Sequence, residues 1–259
     1  VENGKLTNSL IDELIAYVHS KPRKVEMVFI GQAFTVVKLI SGEVGLALTP
    51  TKRFDSCIGA SKLAGKLTRH NSSELAHFMK SSNSFLQSIG LAAINAVLQG
   101  DLRERTDFLE GDFLRFLEIR SEDKIAMIDY YSTKISFFKG KNLTIFDDRG
   151  AGKRKDIPIL SMSMLKEKLP LADIVIFPPT LLGKVDILRK SASKAREIVL
   201  VHPTTPPLPE PFFKRGVTMV ASMMILDPES LTRYVMEGAG TTLFKKFCKK
   251  IVFKQGVSS

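Results

Sequence analysis

The stretch VHPTTPPLPEP, Val201–Pro211, follows the apolar, β-branched run Ile198–Val201 and breaks it at once with a histidine, two threonines and five prolines. A buried strand that ends in a stiff polar loop is how open α/β sheets present a ligand site. Runs of the same kind lie on either side of it, at Ile125–Asp129, Leu143–Phe146, Ile174–Phe177 and Val217–Ala221. Between them come helix-patterned segments at Thr133–Phe138, Met162–Leu169, Leu181–Ser193, Glu210–Lys214 and Pro228–Glu237. Short apolar strands alternating with helices predict a parallel sheet with helices on both faces. Right-handed crossovers then bring every strand end to one edge.

That edge collects chemistry. The strands end in Asp129-Tyr130-Tyr131, in Asp147-Asp148, in Pro178-Pro179-Thr180, in His202-Pro203-Thr204-Thr205-Pro206 and in Ser222-Met223. Prolines set two of these loops in advance. Each acidic residue also has a structural reading, Asp129 as a helix cap and Asp147-Asp148 as a turn or a ribose-binding acid. His202 suits an acid, a base or a metal ligand, since its ordinary pKa is about 6.5; a hydrogen-bonded loop histidine is the plainer alternative. Glu237-Gly238-Ala239-Gly240-Thr241-Thr242 is a glycine turn into a last helix, either a cap or an anion site. No GxGxxG follows the first strand, so the dinucleotide fingerprint is absent and NAD is not implied.

The first half reads differently. Leu10, Ile11, Leu14, Ile15 and Val18 recur at helical spacing until Pro22. Lys24–Ile30, Phe34–Ile40 and Val44–Leu48 follow as short strands with glycine-containing breaks, which predicts an antiparallel meander. Gly59 to Lys66 imitates a phosphate-binding loop but has five residues between its glycines and Leu67 after the lysine, so that reading fails. Ser73–Ser81 and Phe85–Leu98 read as helices. The second carries Ser88, Gly90, Ala92, Ala93 and Ala96, small enough for another backbone to approach closely. Asn95 lies in its apolar middle, where an unpaired amide costs about 1–3 kcal/mol. It predicts either a structural bond to a nearby loop or a group facing a cleft. Asp101–Ile119 has a charged helical pattern. The division expected is 1–101 as a small α+β domain and 102–259 as an α/β domain, with 102–122 a connecting helix.

Composition narrows the classes. Of 259 residues, 44% are hydrophobic and 25% charged, the balance of a soluble globular protein that needs no disulfide or metal staple. Two distant cysteines, no membrane-length apolar run and no signal-peptide pattern in VENGKLTNSL lead to a cytoplasmic expectation without membrane contact. The charge of +11 is spread along the chain, with Lys153-Arg154-Lys155 and Lys245-Lys246 with Lys249-Lys250 as its tightest clusters. The second has helical spacing and reads as the solvated face of a terminal helix. Dispersed charge, no tryptophan and no RNA-binding aromatic pattern favour small anions over nucleic acid as the partner.

Several stretches together resemble a family described as putative heavy-metal chelation, of unknown function. They are Gly31–Thr35 with Gly45-Leu46-Ala47, Gly90 to Ala96, Leu171 to Ile176, Val201–Pro206, Gly216–Ala221, Asp227-Pro228 and Glu237–Thr241. The resemblance covers nearly the whole chain in order. It implies an enolase-like N-terminal domain, a Rossmann-like C-terminal domain, a pocket between them and a role with a transition metal or metal chelate. The family's Gly-Pro-Ser-Thr-Pro loop falls on His202-Pro203-Thr204-Thr205-Pro206, and its Gly-x-Phe-Pro turn on Asp129-Tyr130-Tyr131-Ser132.

The ligand-binding residues expected are therefore Asp129, Tyr130, Thr180, His202, Thr204, Thr205, Gly238, Gly240 and Thr241, with Thr35 and Asn95 approaching from the first domain and His202 as the metal candidate. The expected function is binding of a small anionic or metal-chelating ligand. A metal-free small-molecule enzyme is the alternative, and a nucleic-acid-binding protein the least favoured. A homo-oligomer is compatible with all three.

Overall fold

The computed structural model describes residues 9–50, 62–129, 134–148 and 157–257. Tyr130, the start of the glycine-rich lookalike and the Lys153–Lys155 cluster lie outside the described residues.

Helix α1, Leu10–His19, opens the chain, capped by Ser9 in a reciprocal box with Asp12. Strands β1 (Val25–Ile30), β2 (Phe34–Leu39) and β3 (Val44–Leu48) form the predicted antiparallel meander in the order β1-β2-β3. Helix α2, Ser72–Ala76, starts at its Asn71 cap, which leaves His70 outside the helix. Helix α3, Ser84–Leu102, runs past Gly100 and is buried on almost every face. A helix apolar all round belongs inside a core, and the small residues explain how it fits there. At Gly45 of β3 an added Cβ would stand 2.0 Å from the Ala92 carbonyl oxygen and 2.1 Å from the Ala96 nitrogen. Strand and helix thus touch backbone to backbone.

After α3 the structure departs from expectation. Residues 103–122 hold no connecting helix. They form the short strand β4, Leu109–Glu110, and a single 3₁₀ turn, Phe113–Arg115. Gly111, at φ 136°, breaks the helical pattern between them.

The remaining strands are β5 (Lys124–Ile128), β6 (Asn142–Phe146), β7 (Ile159–Leu160), β8 (Ile174–Phe177), β9 (Glu197–Val201), β10 (Met219–Ile225) and β11 (Cys248–Lys254). Among the described residues they and β4 make one sheet in the order β4-β11-β10-β9-β8-β5-β6-β7. The run from β10 to β7 is parallel, and β11 and β4 add an antiparallel edge. Numbered along the chain, the parallel strands follow the 3-2-1-4-5-6 order of a doubly wound dinucleotide fold. The fold class is the one expected: a small antiparallel sheet with helices, then a larger, mostly parallel sheet flanked by helices. The terminal helix is corrected. Only Thr241–Phe244 and a following 3₁₀ turn are helical, and Lys249 and Lys250 lie on β11.

Alternation along the central strands places the core on both faces. Ala126, Ile128, Val175, Phe177, Ile198, Leu200 and Val220 face a core shared with α1 and α3. Ile125, Met127, Ile174, Ile176, Val199, Met219 and Ala221 face a second core with Phe113, Ile135 and Phe138. Full burial of such side chains contributes about 1.5–3 kcal/mol each. The first half of the chain therefore covers one face of the large sheet, while 3₁₀ turns cover much of the other.

Candidate functional site

Short loops follow β9 and β10 and hold the Val201–Pro211 region in place. Thr204 and Thr205 are buried. The Asn95 amide of α3 donates to the Leu46 carbonyl at 2.8 Å and to the Thr204 carbonyl at 2.9 Å. The Ser222 hydroxyl donates to the Thr205 carbonyl at 2.6 Å. One turn on, Gln99 donates to the Met223 carbonyl at 2.7 Å and accepts from the Ile225 N–H at 2.9 Å. Asn95 thus fastens the loop to the first half of the chain. Its Oδ1, like the Thr205 hydroxyl, is buried without a hydrogen-bond partner among the described residues. Thr35 is also buried, and its hydroxyl is shared with Thr49 and Ser88.

His202 projects from the strand end, with its ring centroid 6.4 Å from that of Phe34. Its Nδ1 accepts from the Thr204 backbone N–H at 3.2 Å and lies 2.8 Å from the Thr204 hydroxyl. A backbone N–H only donates, so the neutral ring carries its proton on Nε2. Metal-bound histidines show the reverse arrangement, with the second nitrogen donating outward. Among the described residues no group of three or more His, Cys, Asp or Glu side chains could hold a metal ion. The residues at His202 do not fit a bare metal ion.

A cavity of about 310 Å³ opens beside His202 at the ends of β5, β9 and β10. All of its lining residues lie between Gly111 and Ile251, so it belongs to the second half of the chain. Phe113, Met127, Val201 and Ala221 line its apolar side and belong to the second core or pack against it. Lys134, Lys245 and Lys250 line it with Asp112, Thr241 and Thr242. Lys250 donates to Asp112 Oδ2 at 2.6 Å, and Lys134 donates to the same oxygen. Burial works to raise the Asp112 carboxyl, but its bonds from Lys134 and Lys250 prevail and hold it below the ordinary carboxylate range. Burial lowers the Lys134 ammonium against the pull of Asp112. Lys245, among the described residues, has no carboxylate partner. Three ammonium groups and one carboxylate leave the cavity basic.

Of the residues expected from sequence, His202 and Thr241 line this cavity. Thr35, Asn95, Asp129, Thr180, Thr204, Thr205, Gly238 and Gly240 do not. Thr180 is exposed after the buried Pro178-Pro179 pair. Gly238 makes a turn at φ 87°, and Gly240 caps helix Thr241–Phe244. Asp129 takes φ 67°, the left-handed conformation that glycine adopts freely, at the turn where the resembling family carries glycine. Asp148 accepts from the Ser161 hydroxyl and the Met162 N–H, so it serves a turn. The lysines went unread as a site: Lys245 and Lys250 passed for one helix face, and nothing local marks Lys134.

The comparisons agree with the fold. A crystal structure of a protein of unknown function from Pyrococcus horikoshii superposes with a TM-score of 0.77 at 23% identity, covering 95% of this chain and 98% of the other. One from Desulfitobacterium hafniense superposes with a TM-score of 0.77 at 22% identity, covering 95% and 97%. Both are described as DUF364 family members. An uncharacterised protein of Methanocaldococcus jannaschii is 28% identical over 186 residues, 68% of this chain and 70% of its own length. Two family models, both described as "Putative heavy-metal chelation", match residues 11–98 and 112–254. The chain belongs to this family of unknown function, whose description points to heavy-metal chelation.

Proposed function

We propose that the protein binds a small anion in the basic cavity at the strand ends. The observation that carries this reading is that, among the described residues, Lys134, Lys245 and Lys250 line one cavity with one carboxylate, Asp112, which bonds Lys134 and Lys250. A cleft with an excess of cations concentrates anions. Thr241 and Thr242 add hydroxyls at the rim. Asp112 already satisfies Lys134 and Lys250, so Lys245 is the cation most ready to receive a ligand. We place the domain division near residue 101, with the first domain closing one face of the sheet and fixing the His202 loop. On this reading the ligand site lies within the second domain, against that loop, and the seam between the domains is a fastening.

The family description adds one constraint. The donor set at His202 does not suit a bare metal ion, so a metal would arrive in a chelate whose own anionic groups meet the lysines. Titration of inorganic phosphate at constant ionic strength, followed by amide chemical shifts, tests the site. Saturable shifts in Thr241–Lys245 with a dissociation constant of about 1 mM or tighter are expected. Lys245→Ala should abolish them. Flat shifts across that segment would remove the reading.

A further inference from the structure

Resting on the anion-site reading, we infer that the ligand is amphiphilic, one anionic group carried on a compact apolar body such as an aromatic ring. The argument is the mixed lining of the cavity, ammonium groups beside core side chains. Its volume of about 310 Å³ lies at the lower end of the range of roughly 300–1,000 Å³ found for organic-ligand pockets. A water molecule takes about 30 Å³ of liquid. A lone oxyanion bound at Lys245 would therefore leave most of the space to water held against apolar walls.

Those walls are continuous with the second core. Phe113, Met127 and Ala221 are buried, and Val201 packs against them at the end of β9. The charged groups enter from elsewhere in the chain. Lys245 follows the short helix Thr241–Phe244, Lys250 comes from β11, and Lys134 precedes the Ile135–Phe138 turn. Two polar groups beside the apolar lining residues are already committed. The Ser222 hydroxyl is spent on the Thr205 carbonyl, and His202 Nδ1 on Thr204. A ligand polar all round would strip its own water against Met127 and Val201 without replacement bonds, which disfavours it. An anionic head with an apolar body meets lysines and core side chains in one space, as where Lys134 Nζ lies 5.7 Å from the centre of the Phe113 ring.

The test is a matched series measured by titration calorimetry on the full chain: inorganic phosphate, phenyl phosphate, acetate, benzoate and benzyl alcohol. Phenyl phosphate should bind at least about tenfold tighter than inorganic phosphate, because the ring removes apolar wall from water. Benzoate should bind tighter than acetate by a similar factor, and benzyl alcohol should bind far more weakly than either aromatic anion. Val201→Phe, which fills the apolar side, should cancel the advantage of phenyl phosphate while leaving inorganic phosphate in place. Equal affinity for phosphate and phenyl phosphate would overturn the amphiphilic ligand and leave the anion site standing. Benzyl alcohol binding as tightly as phenyl phosphate would show that the head group is not read, and would also overturn it. Failure of all the anions to bind would remove the anion site itself. The ligand series uses the unaltered protein, so a Val201→Phe variant that fails to fold leaves the test intact.

Discussion

Two regions meet at the ends of β9 and β10, and they are built on opposite rules. On one side α3 closes against β3 and the His202 loop with backbone contact at Gly45 and with paired amides at Asn95 and Gln99. On the other side a cavity stays open between apolar walls and a set of lysines. The seam spends its polar groups on the protein, Asn95 Oδ1 and the Thr205 hydroxyl excepted among the described residues, whereas the cavity keeps at least one cation, Lys245, without a carboxylate partner among them. On the proposed reading, fastening and binding fall to different faces of the same strand ends. Substitutions at the seam should cost stability, and substitutions at the cavity should cost ligand.

The largest effect is expected at Gly45. A Cβ there would meet two backbone atoms of α3, which cannot move as a flexible side chain would. Gly45→Ala should lose about 3 kcal/mol or more by urea denaturation, or fail to fold. Gly42→Ala is the control: its φ is 96° but no atom lies within 4 Å of the added Cβ. It should lose only about 1 kcal/mol, for backbone strain alone. Equal losses at the two glycines would mean that the seam is not close-packed.

Asn95→Ala comes next. It strips the Leu46 and Thr204 carbonyls of a buried donor. Each such loss costs about 1 kcal/mol or more, so about 2–3 kcal/mol is expected from denaturation curves. Because Asn95 Oδ1 is buried with no partner among the described residues, its deletion returns part of that cost and sets the net loss at the lower end of this range. Unaltered anion affinity in this variant, at a temperature where it remains folded, would confirm that the seam only fastens.

A smaller loss, about 1–2 kcal/mol, is expected for Asp112→Asn, which removes the charge that Lys134 and Lys250 share. This loss depends on pH with a definite sign. The folded-state pKa of Asp112 lies below its unfolded value of about 3.9. Its contribution is therefore complete above that value and is lost as the pH falls through the folded pKa. The stability gap between the parent and Asp112→Asn should be full at neutral pH and narrow below about pH 4. A gap that widens on acidification would refute the lysine pairing.

The contrast between the two regions also explains what the sequence could disclose. The seam was legible in outline because its cause is local: small residues crowd one helix, and a lone amide interrupts them. Continuous apolar runs likewise mark the central strands, from Ile125 to Ala221. The cavity was not legible. Asp112 is 22 residues from Lys134 and 138 from Lys250, and only the sheet order brings them together. Lys245, Lys246, Lys249 and Lys250 have helical spacing, yet the β-forming Ile251-Val252-Phe253 pulls the last two into β11 beside β10. Tertiary pairing overrode a local pattern there, as Gly111 did between β4 and the turn that follows it. His202 was correctly singled out as the residue at the strand end, but its Nδ1 bond to Thr204 depends on loop geometry that no spacing encodes.

The smallest stability effect belongs to Lys245→Ala, and that is why it separates the two regions most sharply. The side chain is exposed and, among the described residues, pairs with no carboxylate. Its removal should change unfolding free energy by no more than about 0.5 kcal/mol. It also removes a positive charge from the cavity that Lys134 and Lys250 line, and the relief of repulsion offsets part of any loss. Residues kept for folding do not behave this way: they lose stability in proportion to what they bury or bond. If the proposed anion site is right, the contribution of Lys245 should appear in ligand affinity and not in stability. Denaturation midpoints measured with and without phosphate decide the matter. In the parent the anion should raise the midpoint with concentration, as any ligand specific to the folded state does. In Lys245→Ala the midpoint should match the unliganded parent and stay there as phosphate is added.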